Sequence, residues 1–250
     1  MITIDASLAL DEDYHVHSTW SDDALSTLAE NVRVARDRGL RTLLLAEHVR
    51  RDSAWVPDYA LAVEGLPPAP GLTLLTGVEA KLIDQSGRLD LPDDIGRASW
   101  ILIADHQFPS PRGPVRPDII RAALAGGQVT AAEVTAGLAG ATVGALHRVG
   151  AWPGRQPQLA HLFSVLPKLG LDELAVDDAA LDQLVRAALD TGARLEVNEK
   201  WGCPSARVIR AFAAAGVPLV ASTDSHHCRT IGQYSTVRDL AGQALAGAGP

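Results

Sequence analysis

Hydrophobic and polar positions fall along the chain in alternating blocks. Short apolar runs end in polar clusters at "DYHVH" (13–17), "RTLLLAEH" (41–48), "LTLLTGVEAKL" (72–82), "SWILIADH" (99–106), "ARLEVN" (193–198) and "VPLVASTDSH" (217–226). Near-continuous apolar runs of this length are the pattern of strands buried on both faces. Helical patterns closed by glycine separate several of them. In "ALSTLAENVRVARDRG", Leu25, Leu28, Val32 and Ala35 share one face and Gly39 suits the residue after the helix end. Further helices are predicted over 178–192 and 204–216. Strand, helix, strand with short joins predicts parallel strands, hence an α/β barrel or an open doubly wound sheet. Residues 107–157 fit this rhythm least. "FPSPRGPVRP" and "AWPGRQPQ" read as loops, while "DIIRAALAGG" and "VTAAEVTAGLAGATVGALHRVG" read as helices. After Val237 a last helix is expected to fray into "AGAGP". No linker, repeat or low-complexity tract divides the chain, so 1–250 is expected to form one domain.

Composition narrows the chemistry. At 250 residues and 47% apolar content, the chain can bury a substantial core. No run approaches the roughly 18 apolar residues of a membrane helix, and "MITIDASLALDED" lacks the basic start of a signal peptide, so no membrane partner and a cytoplasmic location are expected. The two cysteines, Cys203 and Cys228, lie in no CxxC pattern. A metal site would therefore rest on His and carboxylate. The net charge of −8 disfavours long nucleic acids as partners. A small anion stays admissible if positive charge is local.

Such a local site is visible in the placement of His and acid residues. Side chains at i and i+2 of a strand share a face, so His15 and His17 can grip one ion. Asp224 and His226 repeat the spacing near the other end of the chain. His48, Glu79 and His106 close three further apolar runs, Asp22 follows the first, and His161 lies in "QLAHLFSVLPKLG". Parallel α/β sheets bind ligands at the carboxyl ends of their strands, where residues distant in sequence converge. An isolated HxH is more often incidental, and a lone strand-end Asp often caps a helix. The joint pattern, with six of the eight histidines at or just past the ends of apolar runs, points to a polynuclear metal site. His147, inside a predicted helix, and His227, expected to point away from His226, are left out of it.

The order of "HVHSTWSDD", "LLAEH", "TGVEAKL", "ADHQF", "LAHLFSVLPKLG" and "STDSHHCRTIG" resembles the polymerase and histidinol phosphatase (PHP) phosphoesterases over nearly the whole chain. That resemblance implies a distorted (β/α)7 TIM-like barrel with a trinuclear site at its C-terminal mouth, holding three divalent ions of zinc, manganese or iron. It implies His15, His17 and Asp224 around one ion, with Glu79 bridging to a second completed by His106 and His161. Asp22, His48 and His226 would hold the third. Two departures stand out: Glu47 replaces the family's usual Asp before His48, and Leu162 replaces the usual Pro after His161.

The implied reaction is hydrolysis of a phosphate monoester of a small molecule, such as histidinol phosphate, a sugar phosphate or a nucleotide, by a metal-bridging hydroxide. Glu79, Asp224 and His226 are the expected catalytic residues. The ions would be the positive patch that lets an acidic protein hold phosphate. Arg50, Arg51, Lys81, Lys200 and Arg229 follow the motifs closely and are candidate phosphate contacts, with Asn198 of "LEVN" expected to face the site. Trp20, Trp55 and Trp201 lie three, seven and three residues past His17, His48 and Asn198, and would give a ring in the substrate something to pack on. Phosphodiester cleavage, as in an exonuclease or a cyclic phosphodiesterase, is the alternative reaction. A degenerate barrel serving only as a binding module is the third reading, disfavoured by the full set of candidate ligands.

Overall fold

The computed structural model describes residues 8–246. Nine strands and eight α-helices follow one another as β1 (Glu12–Val16), α1 (Leu28–Asp37), β2 (Thr42–Val49), α2 (Val56–Glu64), β3 (Thr73–Lys81), β4 (Trp100–Ala104), β5 (Phe108–Ser110), β6 (Gly113–Val115), α3 (Pro117–Ala125), α4 (Ala131–Gly150), β7 (Gln156–Leu159), α5 (Leu166–Leu169), α6 (Asp178–Thr191), β8 (Arg194–Asn198), α7 (Ala206–Ala214), β9 (Leu219–Ser222) and α8 (Thr236–Ala246). Seven strands pair in parallel in the order β1, β2, β3, β4, β7, β8, β9. A parallel bridge between Val16 and Ser225 nearly closes the ring, with His17 N donating to Ser225 O at 2.8 Å. The architecture is the expected seven-stranded distorted TIM-like barrel, wrapped by helices. The last four residues of the tail "AGAGP", 247–250, and the first seven residues lie outside the described residues.

Sequence explains most boundaries. Thr27 and Glu30 form a capping box that starts α1, and Thr130 and Glu133 do the same for α4. Leu25, expected on the buried face of the first helix, instead precedes the Thr27 cap and is 74% exposed; Asn31 takes the fourth buried position. Gly39 and Gly192 follow α1 and α6 with φ of 73° and 65°, the left-handed backbone that glycine adopts without strain. The 107–157 segment carries two differences. "FPSPRGPV" forms the antiparallel hairpin of β5 and β6, and the stretch read as the loop "AWPGRQPQ" ends in β7.

Side-chain parity builds two layers inside the barrel. Along β2, Leu43 and Leu45 face the helices, whereas Leu44 and Ala46 face inward with Trp100, Leu102, Ala104, Ala160 and Val220. Counting on by twos from these inward residues reaches His48, His106 and Asp224, so the apolar plug is roofed by polar side chains at the strands' carboxyl ends. β1 would break the rule, because inward Tyr14 has even parity and His15 and His17 have odd. An irregularity in the β1–β2 register between Asp13 and Val16 resolves this: Tyr14 stays inward, Val16 packs outward, and both histidines turn into the mouth.

Candidate metal centre

Six strand ends and the turn after β7 deliver the polar roof. Glu79, at the end of β3, is buried at its centre. One carboxylate oxygen lies 2.8 Å from His161 Nε2 and 3.1 Å from His106 Nε2. The other lies 2.7 Å from His48 Nδ1 and 3.5 Å from the Nε2 atoms of both His15 and His17. Three triplets of donor atoms therefore meet here: His15, His17 and Asp224; Glu79, His106 and His161; and His17, His48 and His226. Asp224 Oδ1 approaches His17 Nε2 at 3.3 Å and His226 Nδ1 at 3.4 Å.

These residues suit metal ions on the structure's own terms. His15 Nε2, His17 Nε2, Glu79 Oε2 and Asp224 Oδ1 are all buried and make no hydrogen bond. Four orphaned polar atoms aimed at one point are costly unless a further group satisfies them. Their protonation also suits ligation. Burial pushes the His17 imidazole down to about 3, so its ring is neutral with a free lone pair. Burial opposes ionisation of Glu79 and Asp224, yet the facing histidines hold both carboxylates below their usual range. Burial also disfavours a charged His161, but Asp105 and Glu79 outweigh it and raise the ring to about 10. His15 is raised too, by Glu196 and Glu79 against burial. Cations must displace those protons on binding. His161 and Asp224 have positive φ, 31° and 49°, a strained backbone found where function fixes a side chain.

Supporting groups hold the donors. Glu196 Oε2 lies 3.0 Å from His15 Nδ1, which leaves Nε2 to face the centre. Gln158 and Asn198 donate to the same Glu196 carboxylate at 2.8 and 2.5 Å. Glu47 accepts from Ser18 and Ser21, and Ser21 in turn accepts from His48 N. Ser164 links His161 to Asp105, and Trp201 Nε1 donates to Asp224 Oδ2 at 2.7 Å. Glu196, Gln158 and Asp105 did not emerge from the sequence. Glu196 had a signal, since it shares a strand face with Asn198 two residues on.

One expected ligand is differently placed. Asp23, not Asp22, faces the paired histidines: its Oδ2 lies 3.2 Å from His226 Nε2 and 3.5 Å from His48 Nε2, and the two nitrogens are 3.4 Å apart. Donors around one tetrahedral ion at about 2.1 Å stand about 3.4 Å from each other. Asp22 turns outward, 75% exposed, with its carboxylate 3.6 Å from Arg50. The cause is the tight turn after His17, where Ser21 N donates to Ser18 O and Ala24 N to Ser21 O, so successive side chains diverge.

Above the centre lies a cavity of about 390 Å³ whose walls include Arg50, Lys81, Lys200, Gln107 and Trp201. Lys200 Nζ is 3.3 Å from Asp224 and 3.2 Å from His226 Nδ1. Lys81 is paired with Asp90 at 3.6 Å. Arg51 and Arg229 are exposed and line no part of this cavity, Arg229 being spent on His227. Asn198 does not face the cavity either. It is fully buried, its amide bonded to Glu196, Ser222 and Trp201 N. His147 is exposed on α4, away from the centre.

No family model matches the chain. It is 25% identical over 233 residues to a protein named probable phosphatase from Clostridium novyi, covering 91% of this chain and 84% of that one. A probable phosphatase of Vibrio vulnificus is 24% identical over 91% of this chain and 82% of its own. One from Caldanaerobacter subterraneus is 34% identical, over 37% of each chain. The fold matches that of histidinol phosphate phosphatase from Lactococcus lactis, a structure complexed with zinc, L-histidinol and phosphate, with a TM-score of 0.66 and 16% identity over 95% of this chain and 93% of that one. In motif order the chain resembles the PHP phosphoesterases, its relatives over most of its length are named probable phosphatases, and its fold is shared with the histidinol phosphate phosphatase structure.

Proposed function

We propose that this protein hydrolyses phosphate monoesters of small organic molecules, using three divalent ions at the barrel mouth. The reading is carried by the convergence of three donor triplets on Glu79 at the floor of a cavity sized for a small ligand. One ion would take His15, His17 and Asp224; the second, Glu79, His106 and His161; the third, His48, His226 and Asp23. When bound, such ions supply Lewis acidity and bring the pKa of water near neutrality. The protein's own residues do the rest. Glu79 would help hold the ions, Glu196 fixes the ring of His15, and Trp201 fixes the carboxylate of Asp224. Lys200, Lys81 and Arg50 would offer positive charge to phosphate oxygens from the cavity wall. The whole chain would act as one phosphoesterase domain. The Lactococcus structure holds histidinol and phosphate, and an amino-alcohol phosphate of that kind is one admissible substrate here, beside sugar phosphates and nucleotides.

Metal analysis and a phosphate-release screen test the proposal together. Freshly purified or reconstituted protein should carry at least two equivalents of transition metal and release phosphate from one or more of histidinol phosphate, sugar phosphates and nucleoside monophosphates. Protein that takes up no metal overturns the centre. Cleavage of oligonucleotides or cyclic phosphates alone would move the reading to phosphodiesters.

A further inference from the structure

The central cavity opens on two sides, and the two sides differ in what they can recognise. Toward β9 and α8 lies a cavity of about 610 Å³. Several of its polar groups are already used: Glu199 accepts from Ser235, Thr236 and Val237 amides, Thr230 is bonded to Ser225, and the buried Tyr234 gives its hydroxyl to Glu12 O. Toward α2 lies a smaller cavity of about 260 Å³ that shares Asp22, His48 and Arg50 with the central one. A molecule with its phosphate over Glu79 reaches this side without leaving the protein surface.

Trp20 and Trp55 wall the smaller cavity. Their ring centroids are 5.6 Å apart and both lean on Tyr59, at 5.9 and 6.2 Å. Tyr59 is fully buried, with its hydroxyl donating to Leu45 O at 2.7 Å, so the indoles stand on a fixed base. The opposite rim is a preformed turn, in which Ser53 N donates to Arg50 O and Ser53 Oγ accepts from Arg50 N, each at 3.0 Å. Two half-buried indoles, rigid and open on one side, offer a stacking platform at little entropic cost. Arg50 and Asp22 at its edge supply a donor and an acceptor for a heteroatom in the ring.

We propose that this cleft between Trp20, Trp55 and Arg50 holds the alcohol half of the substrate, and that this half carries a planar heteroaromatic ring. Trp20 and Trp55 are then specificity residues that act on binding, not on the chemical step. The inference rests on the phosphomonoesterase reading for where the phosphate sits, but its binding half can be measured without turnover.

Phosphate release is compared between ring-bearing esters (a nucleoside 5′-monophosphate, histidinol phosphate) and glycerol phosphate, in wild type, Trp20→Leu, Trp55→Leu and Asp52→Trp. Asp52 is an exposed rim residue, so its replacement fills the cleft without disturbing the core. The expected result is a rise in KM for ring-bearing esters on the order of tenfold, with kcat and the glycerol phosphate parameters held within about twofold. Gln233→Trp, which obstructs the larger cavity, should change neither. In parallel, calorimetric titration of the metal-loaded protein with phosphate-free nucleoside and with histidinol should show binding that Asp52→Trp removes. Equal losses on ring-bearing and ring-free esters, sensitivity to Gln233→Trp alone, or no binding of any ring-bearing alcohol would overturn the assignment. Ring binding lost in Asp52→Trp, with no ester cleaved by wild type, would leave the cleft standing and refute the phosphatase reading instead.

Discussion

The floor of the mouth and its rim are built to opposite rules. On the floor, His15, His17, Glu79, His161 and Asp224 are almost wholly buried, each held by a second residue and four of them ending in an unpartnered atom. On the rim, Arg50 and Asp22 are 69% and 75% exposed and pair with each other across 3.6 Å, while Lys200, 42% exposed, reaches down to the buried Asp224 at 3.3 Å. Buried polar groups must be satisfied to justify their desolvation, so the floor admits few residue types; exposed ion pairs contribute little and can change without loss of fold. The difference separates chemistry, which is fixed, from selection of the ester, which is free to vary.

That contrast can be broken most severely at its centre. Glu79→Gln should abolish turnover and remove the rise in Tm that metal gives the wild type, measured by phosphate release and thermal denaturation with and without chelator. Substantial residual turnover would mean that Glu79 does not join the ions. The next largest effect separates adjacent acids. Asp23→Asn should lower metal content by about one equivalent in elemental analysis, whereas Asp22→Asn should leave the content unchanged; the reverse result would show that the turn rearranges when ions bind. Glu196→Gln should weaken metal binding by roughly 10- to 100-fold, through the lost orientation of His15, as read in competition with a chelating dye.

A pH series sharpens the comparison further. In chelated protein, His161 titrates near 10 against 6.5 when unfolded, so its stabilising proton is fully in place below about 6.5 and is lost as pH rises through 10. Burial raises Asp13 to about 6 and Glu47 to about 7, and ionising them in place is likewise destabilising as pH climbs past their ordinary values. His17, depressed to about 3, adds stability as pH rises to 6.5, so Tm of the chelated protein should fall between pH 6.5 and 9. In the metal-loaded protein it should rise over the lower part of that range, because ions and protons compete for the same nitrogens. Parallel slopes would contradict the metal assignment. The smallest effects belong to the outer rim: Arg50→Ala should raise KM roughly two- to fivefold, and Arg51→Ala and Arg229→Ala should be silent in the same assay.

The same division governed what the sequence disclosed. β1 to β4, β8 and β9 were legible because a strand buried on both faces must be apolar, and their polar last residues then stood out. β7 was hidden because "QPQL" carries two glutamines and a proline in four residues. Gln158 is polar there because it faces Glu196 inside the barrel, and Pro157 is tolerated in a strand only four residues long. Residues that support ligands leave a fainter trace than ligands do. Glu196 reads as one acid in an apolar strand until His15 is placed against it. "SDD" offers two carboxylates in a row, and only the path of the turn decides between them. The resemblance implied Asp22, and the fold instead points Asp23, itself 55% exposed, toward His48 and His226. Among the basic candidates, sequence distance from a ligand was a poor guide: Lys200 reaches the centre, while Arg51 and Arg229, just as near in sequence, point to solvent.

The seam at which the barrel closes has a consequence for how the protein is made. The first strand is joined to the last through Val16 and Ser225, and Asp13 reaches across the same seam to Thr223 and Gly232. His15 and His17 are made before β2 to β9, yet they wait for Asp224 and His226, which follow β9. A nascent chain can present Glu79, His106 and His161 early, but not the other two triplets. Full metal capture would thus report that β9 has been made and the seam closed, and a product truncated before β9 would offer only the triplet of Glu79, His106 and His161.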